Sequence, residues 1–343
     1  MGLPQLSDAT AGLYNTVCQG LNLSNKQFQL IQGVLPVQTR SQDLYNYFNA
    51  IPAETVAILY VGTPFNTLSG NYEVLFDEAK NSRIKTKAET DFDNSAYWVG
   101  GQPGVNPRYA PPFEDLSTLV GRGGYATIKY DSLSANTNIS DSWARTTSGA
   151  GVGFWGTTSS SVSEELNKKA SSSRITVDIT LNKFAYLAIQ PEGWFRSGFF
   201  TYQYQNVQQW VGGQAQWDKY FGEKGTCTRL SFQALVVDGY DYTVTSYANY
   251  SSEEFQKIQN NQSTNVWPFY TSSRQSTATQ SHSFNDDKSI TTRVVCKAGS
   301  LQIFGIGVIP TKVAMIGNAA RIQESNLSNV DDLILATLSS RVI

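Results

Sequence analysis

The chain has 343 residues and a mass of 37.8 kDa, with 26 Lys and Arg against 28 Asp and Glu, for a net charge of −2. Near-neutral charge without a basic run removes the counterion-release attraction that nucleic-acid binders rely on, so no nucleic-acid partner is expected. A single histidine, His282, excludes multi-histidine zinc sites and leaves one imidazole for any acid–base chemistry.

Only 16% of the residues are charged, against about 25% in an average globular protein. Uncharged Ser, Thr, Asn and Gln take their place. A chain this long buries a full core unaided and has room for roughly two domains or one elaborate β domain. The three cysteines, Cys18, Cys227 and Cys296, lie far apart without CxxC or Cys/His spacing. Neither a metal site, a cofactor nor a disulfide framework is therefore expected. Residues 1–20 lack the basic start and apolar segment of a standard secretion signal. Pro4 and Leu6 break the myristoylation pattern that Met1-Gly2 begins. No run of 18 apolar residues occurs, so no membrane-spanning helix is expected and the compartment stays open.

In chain order, the first segments read as helical. Ser7-Asp8 caps a segment bearing Leu13, Tyr14, Val17 and Leu21 at three-to-four spacing, Ser24 caps 25–32, and Ser41 caps 43–50 before Ile51-Pro52. Residues 53–61 are an ambiguous apolar run, and Gly70 precedes a helix over 72–81. Residues 90–125, rich in Pro, Gly and aromatics, mark a long ordered connection or a boundary.

From residue 124 the period becomes two. In 174–182, Ile175, Val177, Ile179 and Leu181 share one face, while Thr176, Asp178, Thr180 and Asn182 share the other. Phe200, Tyr202 and Tyr204 alternate likewise. Phe232, Ala234, Val236, Tyr240, Tyr242 and Val244 keep one parity across Asp238-Gly239. Residues 289–298 alternate more loosely, 301–309 are apolar on both faces like a central strand, and a short helix is expected at 252–260. Ser328 then caps a tail helix with a Leu333, Ile334 and Leu338 stripe. The expected fold is α+β: a β-rich central body, an antiparallel sandwich or twisted sheet, flanked by N- and C-terminal helices. Its parts are a mainly helical region 1–123, a β-rich body 124–312 and a helical tail 313–343.

Several motifs invite a chemical reading. Gly151-Val-Gly153-Phe-Trp-Gly156 matches G-x-G-x-x-G, but a phosphate cradle needs a helix after the glycines, and 157–161 (TTSSS) suits a strand or loop. The acidic pairs Glu164/Glu165, Glu253/Glu254, Asp286/Asp287 and Asp331/Asp332 are neighbours in sequence, not two carboxylates facing across a cleft, and fit helix caps and turns. Asp91, Asp93 and Asn94, and Asp238 with Asp241, fall short of a calcium ligand set. His282, between Ser281 and Ser283, is expected on a solvated strand or loop without a nucleophile beside it. The tryptophans 98, 143, 155, 194, 210, 217 and 267 are expected mostly in cores or interfaces. No catalytic, cofactor-binding or metal site is assigned, and an enzyme is the least supported class.

Two Ser/Thr-rich stretches remain, 146–173 and 271–283, each directly before a strong strand. Their composition and alternation resemble the insertion region of β-barrel pore-forming proteins of the aerolysin type, over about a fifth of the chain. That resemblance implies a segment that rearranges and joins strands from other subunits. The expected function is a self-associating, non-enzymatic β-rich protein, a homo-oligomer that forms pores through Ser/Thr-rich hairpins and contacts a membrane. A structural assembly protein (shell, fibre or virion component) is the first alternative. A carbohydrate-binding module, with glycan contact, is the second.

Overall fold

The computed structural model describes residues 8–24, 27–36, 45, 48–52, 66–134, 155–156, 165–166, 168–170, 172–260, 265–266 and 278–315. The chain is α+β, and its centre is a six-stranded antiparallel sheet. The elements in order are α1 (Asp8–Gly20), β1 (Phe28–Pro36), α2 (Leu68–Glu78), α3 (Arg83–Phe92), β2 (Tyr109–Ala110), α4 (Phe113–Gly121), β3 (Gly124–Asp131), β4 (Trp155–Gly156), β5 (Ile175–Ala188) and β6 (Gln190–Pro191). Then follow α5 (Ser197–Gln205), α6 (Gly213–Phe221), β7 (Arg229–Ser246), α7 (Ser252–Asn260), β8 (Asn265–Val266), β9 (Ala278–Phe284) and β10 (Ile290–Pro310). A helical turn at 311–315 closes the described chain.

Strands β3, β5, β7 and β10 form a meander in which each neighbour is antiparallel. The far edge of β10 is shared: β9 pairs with residues 290–296 and β1 with 302–307. The sheet therefore has a lower half, ending at Asp131, Ile175, Ser246 and Ile290, and an upper half ending at Ala188, Arg229 and Pro310.

A line of irregularities separates the halves. Asn182 and Lys183 are both exposed in β5, Gly239 takes φ +73° in β7, and β10 shifts register between Cys296 and Leu301 with Gly299 at φ +94°. Side-chain parity reverses there in β5 and β7. Below the line Ile175, Val177, Ile179, Leu181, Tyr240, Tyr242 and Val244 face an inner core; above it the inner core receives Leu235 and Val237. Ala234, Val236, Leu187, Ile303, Ile306 and Val308 face the opposite way, into a second core. Adjacent strand residues point to opposite faces, so the two cores lie on opposite sides of one sheet. Gly239 is required at this line: a Cβ there would lie 2.8 Å from Asn182 Nδ2 and 3.0 Å from the Ala298 nitrogen. Asp238 secures the crossing by accepting hydrogen bonds from the Gly299 and Ser300 amides at 2.6 and 3.1 Å.

The inner core is roofed by α1, whose Leu13, Tyr14 and Val17 are buried as their spacing predicts, and by Leu166, Ala170 and Ile258. The second core is roofed by α2 to α6. Thr67 caps α2 by accepting from the Gly70 amide at 3.1 Å, which starts that helix four residues before the expected position.

Three sequence expectations are corrected. Of residues 25–32, read as a capped helix, 28–32 lie instead in β1. Gly305 opens the far edge of β10, and the Phe28 ring fills the space a side chain there would take. The alternation at Phe200, Tyr202 and Tyr204, read as a strand, lies in α5. There Phe199 meets Tyr72 and Phe200 meets Phe221 at ring-centroid distances of 5.7 and 5.3 Å, and this aromatic packing overrides the period-two pattern. The single parity across Asp238-Gly239 is broken by the reversal just described. The ambiguous run 53–61 and the tail stripe Leu333, Ile334 and Leu338 fall outside the described residues.

A Cβ at position 305 would stand 2.1 Å from Phe28 Cζ and 2.8 Å from the Gln29 carbonyl oxygen. Gly305→Ala should cost about 1–3 kcal/mol in denaturant unfolding. Phe28→Leu should recover part of that loss in the double variant; strictly additive losses would show that β1 does not press on this position.

Candidate functional site

The second core covers only the upper half of its face, and the lower half is open. Pairing places its side chains in rows across β3, β5, β7, β10 and β9: Asp131, Thr176, Thr245, Thr291 and Ser283, then Lys129, Asp178, Thr243, Arg293 and Ser281, then Thr127, Thr180, Asp241, Val295 and Thr279. Strand alternation makes this face: every one of these residues neighbours a position that is turned toward the inner core.

The lattice is self-satisfied. Thr245 and Thr291 share a hydroxyl hydrogen bond of 2.9 Å, Arg293 Nε donates to Asp241 Oδ1 at 2.9 Å, and Lys129 stands 3.9 Å from Asp178. The Lys129 and Asp178 side chains are 80% and 60% exposed, which makes that pair weak in water. Among the described strands, β3 and β9 are the outer edges of this half, and Tyr125 on β3 is 65% exposed.

Two connections leave the lower end, residues 132–174 between β3 and β5 and residues 247–289 between β7 and β10. They are joined at several points. Trp155 and Gly156 of the first pair antiparallel with Val266 and Asn265 of the second. Lys169 Nζ lies 2.6 Å from Glu254 Oε1, donates to the Asn249 carbonyl at 3.3 Å and sits 5.7 Å from the Tyr250 ring centroid. Burial acts to raise the Glu254 carboxyl, but the Lys169 ammonium and the Ser251 amide outweigh it and hold the group below its ordinary range. At the mouth of the first connection Arg174 bonds Asp131, lowering that carboxyl, and lies 5.0 Å from the Tyr247 ring centroid.

The residues singled out in the sequence are dispersed. Glu254 and Ser251 form a reciprocal cap on α7, with the Glu254 amide donating to Ser251 Oγ at 3.1 Å and the Ser251 amide donating to Glu254 Oε2 at 2.7 Å. Asp287 accepts from the Ser289 amide and hydroxyl, which lowers its carboxyl. Asp91 pairs with Arg196, Asn94 caps a short 3-10 turn, Asp238 holds the β10 crossing and Asp241 meets Arg293. The three cysteines are buried and form no disulfide, and burial pushes the Cys18 and Cys227 thiols up to about 12. Trp98, Trp194 and Trp210 are buried in the second core, with indole N–H groups donating to the carbonyls of Phe92, Arg108 and Gln203. Trp155 is in β4, while Trp143, Trp267, Gly151, Gly153, Glu164, Asp331 and Asp332 lie outside the described residues. Among the described residues no three of His, Cys, Asp and Glu gather as metal ligands, and no helix is long and apolar enough to cross a membrane.

His282 is placed on a strand, as expected, but not on the solvated face. It lies on β9 turned toward the inner side, half-buried, with Nδ1 2.8 Å from Thr292 Oγ1. The parity of β9 is the missed signal: Ala278 and Phe284, even-numbered like 282, pack on the inner core. No protein-family model, curated protein or solved structure matches this chain.

Burial lowers the His282 imidazole below its ordinary value of 6.5. The unfolded chain therefore takes up this proton first, and the contribution to stability is lost as pH falls below about 6.5. His282→Gln should narrow the drop in melting temperature between pH 7 and pH 5 relative to the wild type, as measured by thermal melts at both values. An unchanged drop would mean that another group sets the acid sensitivity.

Proposed function

We propose that this protein self-associates and forms β-barrel pores, by refolding residues 132–174 and 247–289 into two hairpins that prolong the meander downward. The observation that carries this reading is the symmetry of the connections. Both leave the same end of the sheet, and each is 43 residues long. Adjacent hairpins of a barrel must reach equally far, and 43 residues supply two strands of about 20 residues, against the 9–11 needed to cross a bilayer.

The midpoints support it too. Gly153 is the central residue of 132–174 and Pro268 of 247–289, both turn-forming types where a hairpin needs its turn. Aromatic residues flank them, Phe154 and Trp155 in one, Trp267 and Phe269 in the other, as suits hairpin tips at a membrane interface. Ser and Thr make up 17 and 13 residues of the two connections. These extend the hydroxyl-rich character of the open face and are compatible with a water-filled lumen. Refolding the second connection takes β9 off β10. The freed edge runs antiparallel to β3, so the β3 edge of a second copy completes it and the ring grows by strand pairing.

A structural assembly is the second reading, favoured by the same exposed β3 and β9 edges, which join copies with or without lipid. Liposome dye release separates the two. The native cysteines are buried, so introduced thiols can be addressed alone. Thr279 and Val295 are direct partners between β9 and β10, within disulfide reach. The oxidised Thr279→Cys, Val295→Cys variant should release no dye, and reduction should restore release. Rings, shells or filaments without dye release would favour the structural reading, and a monomer inert to lipid would overturn both.

A further inference from the structure

We infer that residues 157–174 and 247–264 zip together into one unbroken ladder with β5 and β7, in the register those strands already hold. The inference rests on the refolding proposed above and specifies which residues meet in it. Strands β5 and β7 pair without a slip from Ala188↔Gln233 down to Ile175↔Ser246. One step below, the Tyr247 amide donates to the Arg174 carbonyl at 2.9 Å, so the ladder already runs past its last named pair.

The register reappears further along the chain. β4 and β8 pair antiparallel as Gly156↔Asn265 and Trp155↔Val266. The segments between the two ladders, 157–174 and 247–264, are equal at 18 residues each. Each residue of one therefore has a partner in the other, with no bulge needed to join the ends. The joined ladder would run from Trp155 to Ala188, about 110 Å at some 3.3 Å per residue.

The intervening sequence fits this register. It sets Lys168 opposite Glu253, Glu164 opposite Lys257, Leu166 opposite Phe255 and Thr157 opposite Thr264, with no like charges opposed. Opposite-charge, apolar and Thr–Thr pairs are those that stabilise neighbouring strands. A slip of two residues would put Leu166 against Lys257 and Lys168 against Phe255. The uncharged residues 154–163 and 258–267 next to the tips supply the ten or so per strand that cross a bilayer, and the charged residues 164–174 and 247–257 beyond them form a wall standing in water. In the resting fold Lys168 and Glu253 lie in other elements: 165–166 and 168–170 are helical, 252–260 is α7, and the ion pair there joins Lys169 to Glu254.

Charge reversal tests the register. Lys168→Glu and Glu253→Lys alone should each reduce liposome dye release roughly tenfold, and the double variant should return to within about threefold of wild type, since the pair couples only if the residues meet. Unchanged melting curves before lipid is added would place the effect in the refolded state. A second measurement covers variants that fail to fold: Lys168→Cys with Glu253→Cys should cross-link on oxidation of the lipid-assembled protein, mapped by peptide mass spectrometry. Lys168→Cys with Phe255→Cys, partners only after a two-residue slip, should cross-link in the lipid-assembled protein less than Lys168→Cys with Glu253→Cys; the reverse order would overturn the register. Dye release without coupling or cross-link would overturn the register and leave the pore reading standing. A wild-type chain that neither assembles nor releases dye would overturn both.

Discussion

A β-strand has two faces, and each must meet either apolar side chains or water. In this molecule two neighbouring strands reverse their parity along one line, at Asn182-Lys183 and at Gly239, and β10 stays in step by inserting extra residues between Cys296 and Leu301. The division of labour follows from that line. One face of the sheet carries an inner core over its whole length, while the other is roofed by α2 to α6 above the line and open below it. Without the reversal Phe184 and Tyr186 would turn from the inner core to the opposite face and exchange places with Ala185 and Leu187, since a one-residue shift exchanges the faces. The positive φ of Gly239 and the Asp238 hydrogen bonds to β10 are the local chemistry that keeps the three strands in step.

The two halves differ in what holds them. Above the line, buried rings of Tyr72, Phe76, Phe92, Phe199 and Trp194 meet edge-to-face or at a tilt, with centroids 5.2 to 6.1 Å apart around Tyr72, and the tryptophan N–H groups are satisfied by main-chain carbonyls. Such rings bury large areas and add directional contacts. Below the line the outer face offers hydroxyls and exposed ion pairs, which contribute little to stability in water. Local opening follows the weaker half. The connections that would move are attached there, while the aromatic layer supplies a rigid body for them to move against.

The sequence was most legible where one strand face was fully committed to a core. The alternation of Ile175, Val177, Ile179 and Leu181 reads directly as a buried face, and the stripe on α1 reads as directly. Legibility failed where distant partners decided the outcome. β1 depends on the glycine at 305, more than 250 residues away, and α5 depends on rings supplied by α2 and α6. The parity reversal was hidden because Asp238-Gly239 resembles an ordinary turn placed in a long strand. At the candidate site, the Ser/Thr composition was legible but its geometry was not. The equal lengths of the two connections mean nothing until Asp131, Ile175, Ser246 and Ile290 are known to share one end of the sheet.

The resting conformation of the connections is itself conditional. α7 has nine residues and the helical stretch beside Leu166 is shorter still, whereas an isolated helix below about 12–15 residues is marginal in water. Both are held by what they bury: Leu166, Ala170 and Ile258 sit in the inner core, and Lys169 binds across to Glu254. Lifting them from the sheet removes the packing that makes them helical. The flanking residues, TTSSSVS before the first helix and NQST after the second, are Ser, Thr and Asn types that favour neither helix strongly and are tolerated in strands when paired. A segment whose helices need the sheet's inner face, and whose ends are already paired in the sheet's own register, has two ways to satisfy its backbone. The inner core selects the first, and in the pore reading proposed above an edge of a second copy or a bilayer that displaces that packing selects the other.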